Sequence, residues 1–130
     1  MQAELLKNAW RNVDVKLSID GDLHVLRWRR GWFFDRVLFD DRVVATSSGL
    51  FGRETLYGLD MRTEDNTPLR MLFTIDARES EWDMSGEGKP RGVRLETADT
   101  VLLAHGSLGP DRAEPFRQIY DRAIKALGLA

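Results

Sequence analysis

Residues 12–29 run Asn12-Val13-Asp14-Val15-Lys16-Leu17-Ser18-Ile19-Asp20-Gly21-Asp22-Leu23-His24-Val25-Leu26-Arg27-Trp28-Arg29, and they decide the fold. Val13, Val15, Leu17 and Ile19 are apolar, and the residues between them are polar. Successive side chains on a strand point to opposite faces, so this is a strand with one buried face. Asp20-Gly21 is a hairpin-turn dipeptide, because a two-residue turn of this kind needs residues that tolerate positive φ. The returning strand carries Leu23, Val25, Leu26 and Trp28. Its alternation slips at Val25-Leu26, which predicts a bulge.

The same grammar continues downstream. Trp32 to Phe39 reads as a third strand, Asp40-Asp41 turns it, and Val43 to Thr46 returns. Ser47-Ser48-Gly49 is a loop. Residues 54–62 form a fifth strand with Thr55, Tyr57, Leu59 and Met61 on one face. Glu64-Asp65-Asn66-Thr67-Pro68 is a turn rich in breakers. Leu69, Met71, Phe73 and Ile75 then alternate with Arg70, Leu72, Thr74 and Asp76. Residues 77–92 read as the longest loop. Val93 to Thr97 and Val101 to His105 are the last strands, with Ala98-Asp99 between them. About eight short strands in hairpin order predict a mainly β fold, an antiparallel meander forming a sandwich or barrel.

The two ends change period. Ala3, Leu6 and Trp10 fall at helical spacing, predicting a short N-terminal helix over residues 3–12. Phe116, Ile119, Tyr120, Ala123 and Leu127 form an apolar stripe at 3.6 spacing, predicting a C-terminal amphipathic helix over 112–127. Asp111 or Glu114 can cap it, Pro115 is tolerated in its first turn, and Gly128 stops it. One apolar stripe needs one partner, either the sheet or a second subunit.

At 130 residues the chain fits a single domain spanning 1–130 and is long enough to bury a core without staples. It has no cysteine, hence no disulfide framework, thiolate nucleophile or Cys-based zinc site. With 19 basic and 21 acidic residues interspersed, the net charge is −2, which argues against a domain-wide nucleic-acid footprint. The N-terminal residues hold no apolar run of signal-peptide length, and no stretch reaches the length of a membrane span. A soluble, cytoplasmic protein without membrane association is expected.

The densest candidate for chemistry is Arg27-Trp28-Arg29-Arg30-Gly31-Trp32-Phe33-Phe34. Arginines interleaved with aromatics can clamp single-stranded nucleic acid by phosphate contact and base stacking. A period-2 strand with an arginine face toward solvent and an aromatic face toward the core predicts the same pattern, and that reading is preferred. Ser85 to Gly92 is rich in glycine, but Lys89 is followed by Pro90 and a strand. A phosphate loop instead needs Gly-Lys-Ser/Thr opening a helix. Trp82, at the root of that loop, is expected to plug a core edge or sit at an interface. His24 and His105 show no local ligand spacing, and Ser107 near His105 lacks the rest of a triad. The carboxylate pairs Glu79 with Glu81 and Asp40 with Asp41 are not set apart as acid and base, and turn chemistry accounts for the second. The 12 aromatic rings of the chain (four Trp, six Phe, two Tyr) can line a lipocalin-like cavity or fill a sandwich core, and the core is preferred. No catalytic residue, metal ligand or cofactor site is assigned. Candidate ligand or partner contacts are Arg27, Trp28, Arg29, Arg30, Trp32, Tyr57 and Trp82.

Residues 20–31, then Arg36-Val37-Leu38-Phe39-Asp40-Asp41-Arg42, then Leu50-Phe51-Gly52-Arg53-Glu54-Thr55-Leu56-Tyr57, follow an order that resembles the Fas apoptotic inhibitory molecule family. There an Asp-Gly turn, a His, an alternating strand and a Gly precede an Arg-Val strand, an Asp-Gly hairpin and a Gly-Lys-Glu-Thr-like aromatic strand. The likeness covers roughly residues 13–61. Asp41 stands where that family prefers Gly, Trp32-Phe33-Phe34-Asp35 replaces a polar loop containing Gly, and the C-terminal helix is not part of the pattern. The resemblance implies a compact, non-catalytic β-sandwich that acts by binding proteins, and it carries over no active-site residue. The expectation is a binding module with a protein partner or a second copy of itself. A lipocalin-like carrier of a small apolar ligand and a single-stranded nucleic-acid binder are the alternatives.

Overall fold

The computed structural model describes residues 1–9, 11–31, 33–47, 54–62, 65–79, 90–106, 108 and 116–126. Two antiparallel sheets make a sandwich. The first is a five-stranded meander of β1 (Gln2–Asn8), β2 (Asn12–Ile19), β3 (Asp22–Arg29), β4 (Asp35–Phe39) and β5 (Arg42–Ser47), in that spatial order. The second is a four-stranded meander of β6 (Glu54–Arg62), β7 (Pro68–Glu79), β8 (Pro90–Glu96) and β9 (Val101–Gly106). Edge β5 lies beside β6 and edge β1 beside β9, yet the strands pair only within their own sheets. The arrangement is therefore a sandwich rather than a closed barrel.

Alternation builds the core. Val13, Val15, Leu17, Leu26, Trp28 and Val37 from the first sheet meet Tyr57, Leu59, Met71, Phe73, Ile75, Val93 and Leu95 from the second, all fully buried. Asp20-Gly21 turns β2 into β3 with φ of 50° and 87°, the two positive values of a type I′ turn. Asp40 and Asp41 do the same between β4 and β5 with φ of 47° and 67°.

The structure differs from the sequence reading in four places. The N-terminal segment is strand β1 and not a helix: Ala3 pairs with Leu17 and Leu5 with Val15. A segment so short cannot sustain a helix alone, and the edge of β2 offers it a full set of backbone partners. This raises the strand count to nine among the described residues. There is no bulge at Val25-Leu26, since β2 and β3 stay in register from Asn12↔Arg29 to Ile19↔Asp22. The adjacent apolar pair arises because Leu23 and Val25 sit on the outer face while Leu26 and Trp28 point inward. Register shifts occur instead between Leu5 and Lys7, Val37 and Leu38, Asp76 and Glu79, and Leu95 and Glu96. The third strand of the sequence reading begins at Asp35, not Trp32, because Gly31, Phe33 and Phe34 belong to the connection that follows β3. Finally, β7 runs to Glu79 and β8 starts at Pro90, so both strands extend into the span read as a loop; its residues 80–89 lie outside the described residues.

The described helix, α1 (Phe116–Ala126), finds its partner on the second sheet. Ile119 and Ala123 bury against Leu72 on the outer face, with Leu56 and Phe116 packed around them. This explains why Leu72 is buried where alternation predicts solvent; Thr74 and Asp76 are buried on the same face. Arg94 and Glu96, paired with each other, are also buried on that face. Gly58 is where the helix comes closest: a Cβ there would stand 2.7 Å from the Ile124 side chain and 3.2 Å from its backbone nitrogen. Asp111, Glu114, Pro115, Leu127 and Gly128, named for the helix ends, lie outside the described residues. No described helix is long and apolar enough to cross a membrane.

Candidate functional site

The two ends of the sandwich carry different chemistry. At one end β3 leaves its sheet. Arg27 and Arg29 point to the outer face and Trp28 to the core, as the strand period requires. Arg27 Nη1 donates to Asp41 Oδ1 at 2.9 Å, and its Nε lies 3.7 Å from Asp14 Oδ1. Arg29 Nη1 donates to Asn12 Oδ1 at 3.1 Å. Arg30 places its guanidinium 5.2 Å from the centre of the Trp28 ring, within cation–π range. Trp28 and Tyr57 are both fully buried, so these two candidate contacts are core residues. Trp28 Nε1 donates to the Tyr57 hydroxyl at 3.2 Å, and that hydroxyl shares a 2.7 Å hydrogen bond with Ser47 Oγ. Burial pushes the Tyr57 phenol up to about 12, against the lowering effect of its Ser47 and Trp28 hydrogen bonds. Trp32 and Trp82, the remaining candidates, lie outside the described residues, as does Ser107.

The loop after β3 is the feature that the sequence reading missed. The Gly31 amide donates to Asp35 Oδ1 at 3.2 Å, and the Asp35 side chain belongs to a buried residue. A Cβ on Gly31 would collide with the Phe34 carbonyl oxygen, so only glycine fits. Phe33 is 71% and Phe34 62% exposed. Most exposed apolar side chains occur singly. Two adjacent phenylalanines on one loop are a patch. Behind them Arg29 and Arg36 stand directly opposite each other on β3 and β4, an arrangement in which like charges repel. The signal in the sequence was Gly31 and Asp35 bracketing three aromatics that do not alternate with polar residues.

At the opposite end the β2–β3, β4–β5 and β6–β7 turns surround an open cleft of about 490 Å³. It is lined by Ile19, Phe39, Met61 and Leu69, by His24, and by charged residues of the turns. His24 Nδ1 lies 2.5 Å from Asp40 Oδ2. The other Asp40 oxygen accepts the Val25 amide at 3.0 Å, and the Val25 carbonyl accepts the Asp40 amide at 3.0 Å. Burial works to raise the Asp40 carboxyl, but the His24 and Val25 hydrogen bonds and the nearby charges of His24 and Arg42 outweigh it and hold it below the usual carboxylate range. An ionised carboxylate only accepts, so His24 carries its proton on Nδ1. The His24 ring stacks on Phe39 with centroids 5.0 Å apart. His105, by contrast, is an exposed residue near the end of β9.

Among the described residues no group of three or more His, Asp or Glu side chains is placed to hold a metal ion. No protein-family model, curated protein or solved structure matches the chain.

Proposed function

We propose that the chain is a non-catalytic binding module that grips a protein partner through the Phe33–Phe34 loop. The observation that carries this reading is the pair of adjacent exposed phenylalanines, on a connection whose Gly31 amide donates to the buried Asp35. Aromatic residues and Arg are enriched where binding energy concentrates. The Arg29/Arg36 pair behind the loop adds positive charge, so the complementary surface is an apolar pocket with an acidic rim. The resemblance to the Fas apoptotic inhibitory molecule family, a β-sandwich family that acts by binding proteins, points the same way. A second copy of the chain is a less favoured occupant. Edges β1, β5 and β9 sit at pairings with register shifts and β6 lies under α1, which discourages strand addition.

The test is a quantitative comparison of captured proteins between the wild type and a Phe33→Ser/Phe34→Ser variant, with Arg36→Glu as a second arm. Both variants change surface residues and are expected to keep wild-type stability. Proteins held by the wild type and lost from both variants support the reading. An identical set from all three chains overturns it.

A further inference from the structure

The cleft at the turn end lies apart from the phenylalanine loop and has a chemistry of its own. Its floor is apolar and comes equally from the two sheets: Ile19 and Phe39 from the first, Met61 and Leu69 from the second. Its volume, about 490 Å³, falls within the range of about 300–1,000 Å³ usual for small-molecule sites. One wall is preset, because the His24 ring is stacked on Phe39 and tied by Nδ1 to Asp40, whose other oxygen is fixed by a main-chain amide. The rim carries Asp20, Asp22, Asp40 and Asp65 against Arg42 and Arg62. Both arginines have work already: Arg42 faces Asp40, and Arg62 Nη1 donates to the Asn66 carbonyl at 3.1 Å. The turns that supply Asp20 and Asp40 are fixed type I′ turns, so the carboxylates are held at the mouth by the backbone.

We infer that this cleft binds a small organic cation: an alkyl or aryl body on the Ile19–Phe39–Met61–Leu69 floor, and an ammonium among the rim carboxylates around Asp20 and Asp22. The apolar floor and the polar rim both contribute to the attraction, and the rim selects the sign of charge. Four carboxylates outnumber the two guanidiniums and the His24 imidazole together, which leaves an excess of negative charge at the mouth. An anionic ligand of the same shape is repelled there, and a neutral one leaves rim carboxylates partly desolvated without compensation.

The probes are phenethylamine, 2-phenylethanol and 3-phenylpropionate, titrated into protein labelled at the methionine methyl groups. Met61 lines the cleft and Met71 is fully buried in the core, so Met71 reports any general change of fold. The ammonium is expected to move the Met61 methyl resonance saturably and leave Met71 still, with the alcohol weaker and the carboxylate without effect. An Asp20→Asn/Asp22→Asn variant is expected to weaken the ammonium by about threefold, the worth of exposed charge pairing, and not to weaken the alcohol, whose desolvation cost at the rim it lowers. Absence of a saturable Met61 shift up to the solubility of all three probes overturns the site. Equal binding of the three probes, or an unaltered ammonium affinity in the double variant, overturns the cation assignment.

Discussion

Replacing Tyr57 by phenylalanine removes one oxygen atom and nothing else, and the structure sets its cost. The Tyr57 hydroxyl accepts from Trp28 Nε1 at 3.2 Å and bonds Ser47 Oγ at 2.7 Å. Trp28 is fully buried, so in the variant its indole N–H is left without an acceptor and without water. An orphaned buried donor costs about 1–3 kcal/mol. Ser47 is only half-buried and can turn to solvent, so its loss adds little. The ring stays, so no cavity opens. The expected destabilisation near neutral pH is about 2 kcal/mol. Urea unfolding followed by tryptophan fluorescence reads it as a lower midpoint at unchanged slope, by about 1 M for a chain of this size.

The same hydroxyl gives the prediction a second arm. Burial raises the Tyr57 phenol from 10.0 to about 12. The protonated form is therefore favoured in the folded state. Its contribution is complete below pH 10, where the phenol is protonated in both states, and it is lost as pH rises from 10 through 12, where the unfolded chain ionises first. Two pKa units correspond to about 2–3 kcal/mol. The Tyr57→Phe variant has no proton to lose at this position, so the gap between wild type and variant closes across that window. Tyr120 is present in both proteins and cancels. A Tyr57→Phe protein within about 0.5 kcal/mol of wild type at pH 7, below the usual worth of a hydrogen bond, refutes the buried-donor argument. A gap that persists undiminished at the upper end of the window refutes the electrostatic one.

Two further outcomes follow from other contacts. Gly58→Ala drives a Cβ to within 2.7 Å of the Ile124 side chain, and overpacking of this kind costs about 1–3 kcal/mol; adding Ile124→Ala is expected to restore much of the loss, and a Gly58→Ala protein as stable as wild type by urea unfolding counts against the helix packing. Asp40 has a lowered carboxyl pKa, so its contribution is present above the ordinary carboxylate range and is lost as pH falls through the lowered folded value. Acid unfolding of Asp40→Asn is therefore expected to depend less on pH in that window than wild type, and coincident acid limbs refute the His24–Asp40 tie.

What was legible in the sequence was whatever nearest neighbours decide. The alternation of β2, the Asp20-Gly21 turn, the Asp40-Asp41 turn and the face shared by Tyr57, Leu59 and Met61 depend on a few adjacent residues, and the structure shows each. What was illegible depends on partners far along the chain. Residues 3–12 have a helical spacing of apolar residues, but β2 supplies a ladder for Gln2–Asn8. Leu72 alternates like a solvent residue until Phe116–Ala126, far along the chain, is laid over it. Of the candidate contacts, the outward arginines were placed on the correct face. Trp28 and Tyr57 were also correctly paired with the core by the period, and for that reason they present no outer surface. His24 and Asp40 are 16 residues apart, and no local pattern announces that they meet.

Asp41 shows how the turn end was assembled. A type I′ turn prefers glycine at its second position, and Asp41 holds φ at 67° instead, a strain of about 1 kcal/mol. An exposed ion pair returns about 0.2–1 kcal/mol, so the Arg27–Asp41 contact roughly offsets the strain and leaves little net stability. What the aspartate adds is position. Asp40 ties the turn to β3 through His24 and the Val25 amide, and Asp41 ties it again through Arg27. The two aspartates thus hold one turn to the neighbouring strand at two points, and that turn is a wall of the cleft. A glycine at this position would satisfy the backbone and free one of the two ties, so the choice of residue makes more sense as a means of fixing the cleft wall than as a source of stability.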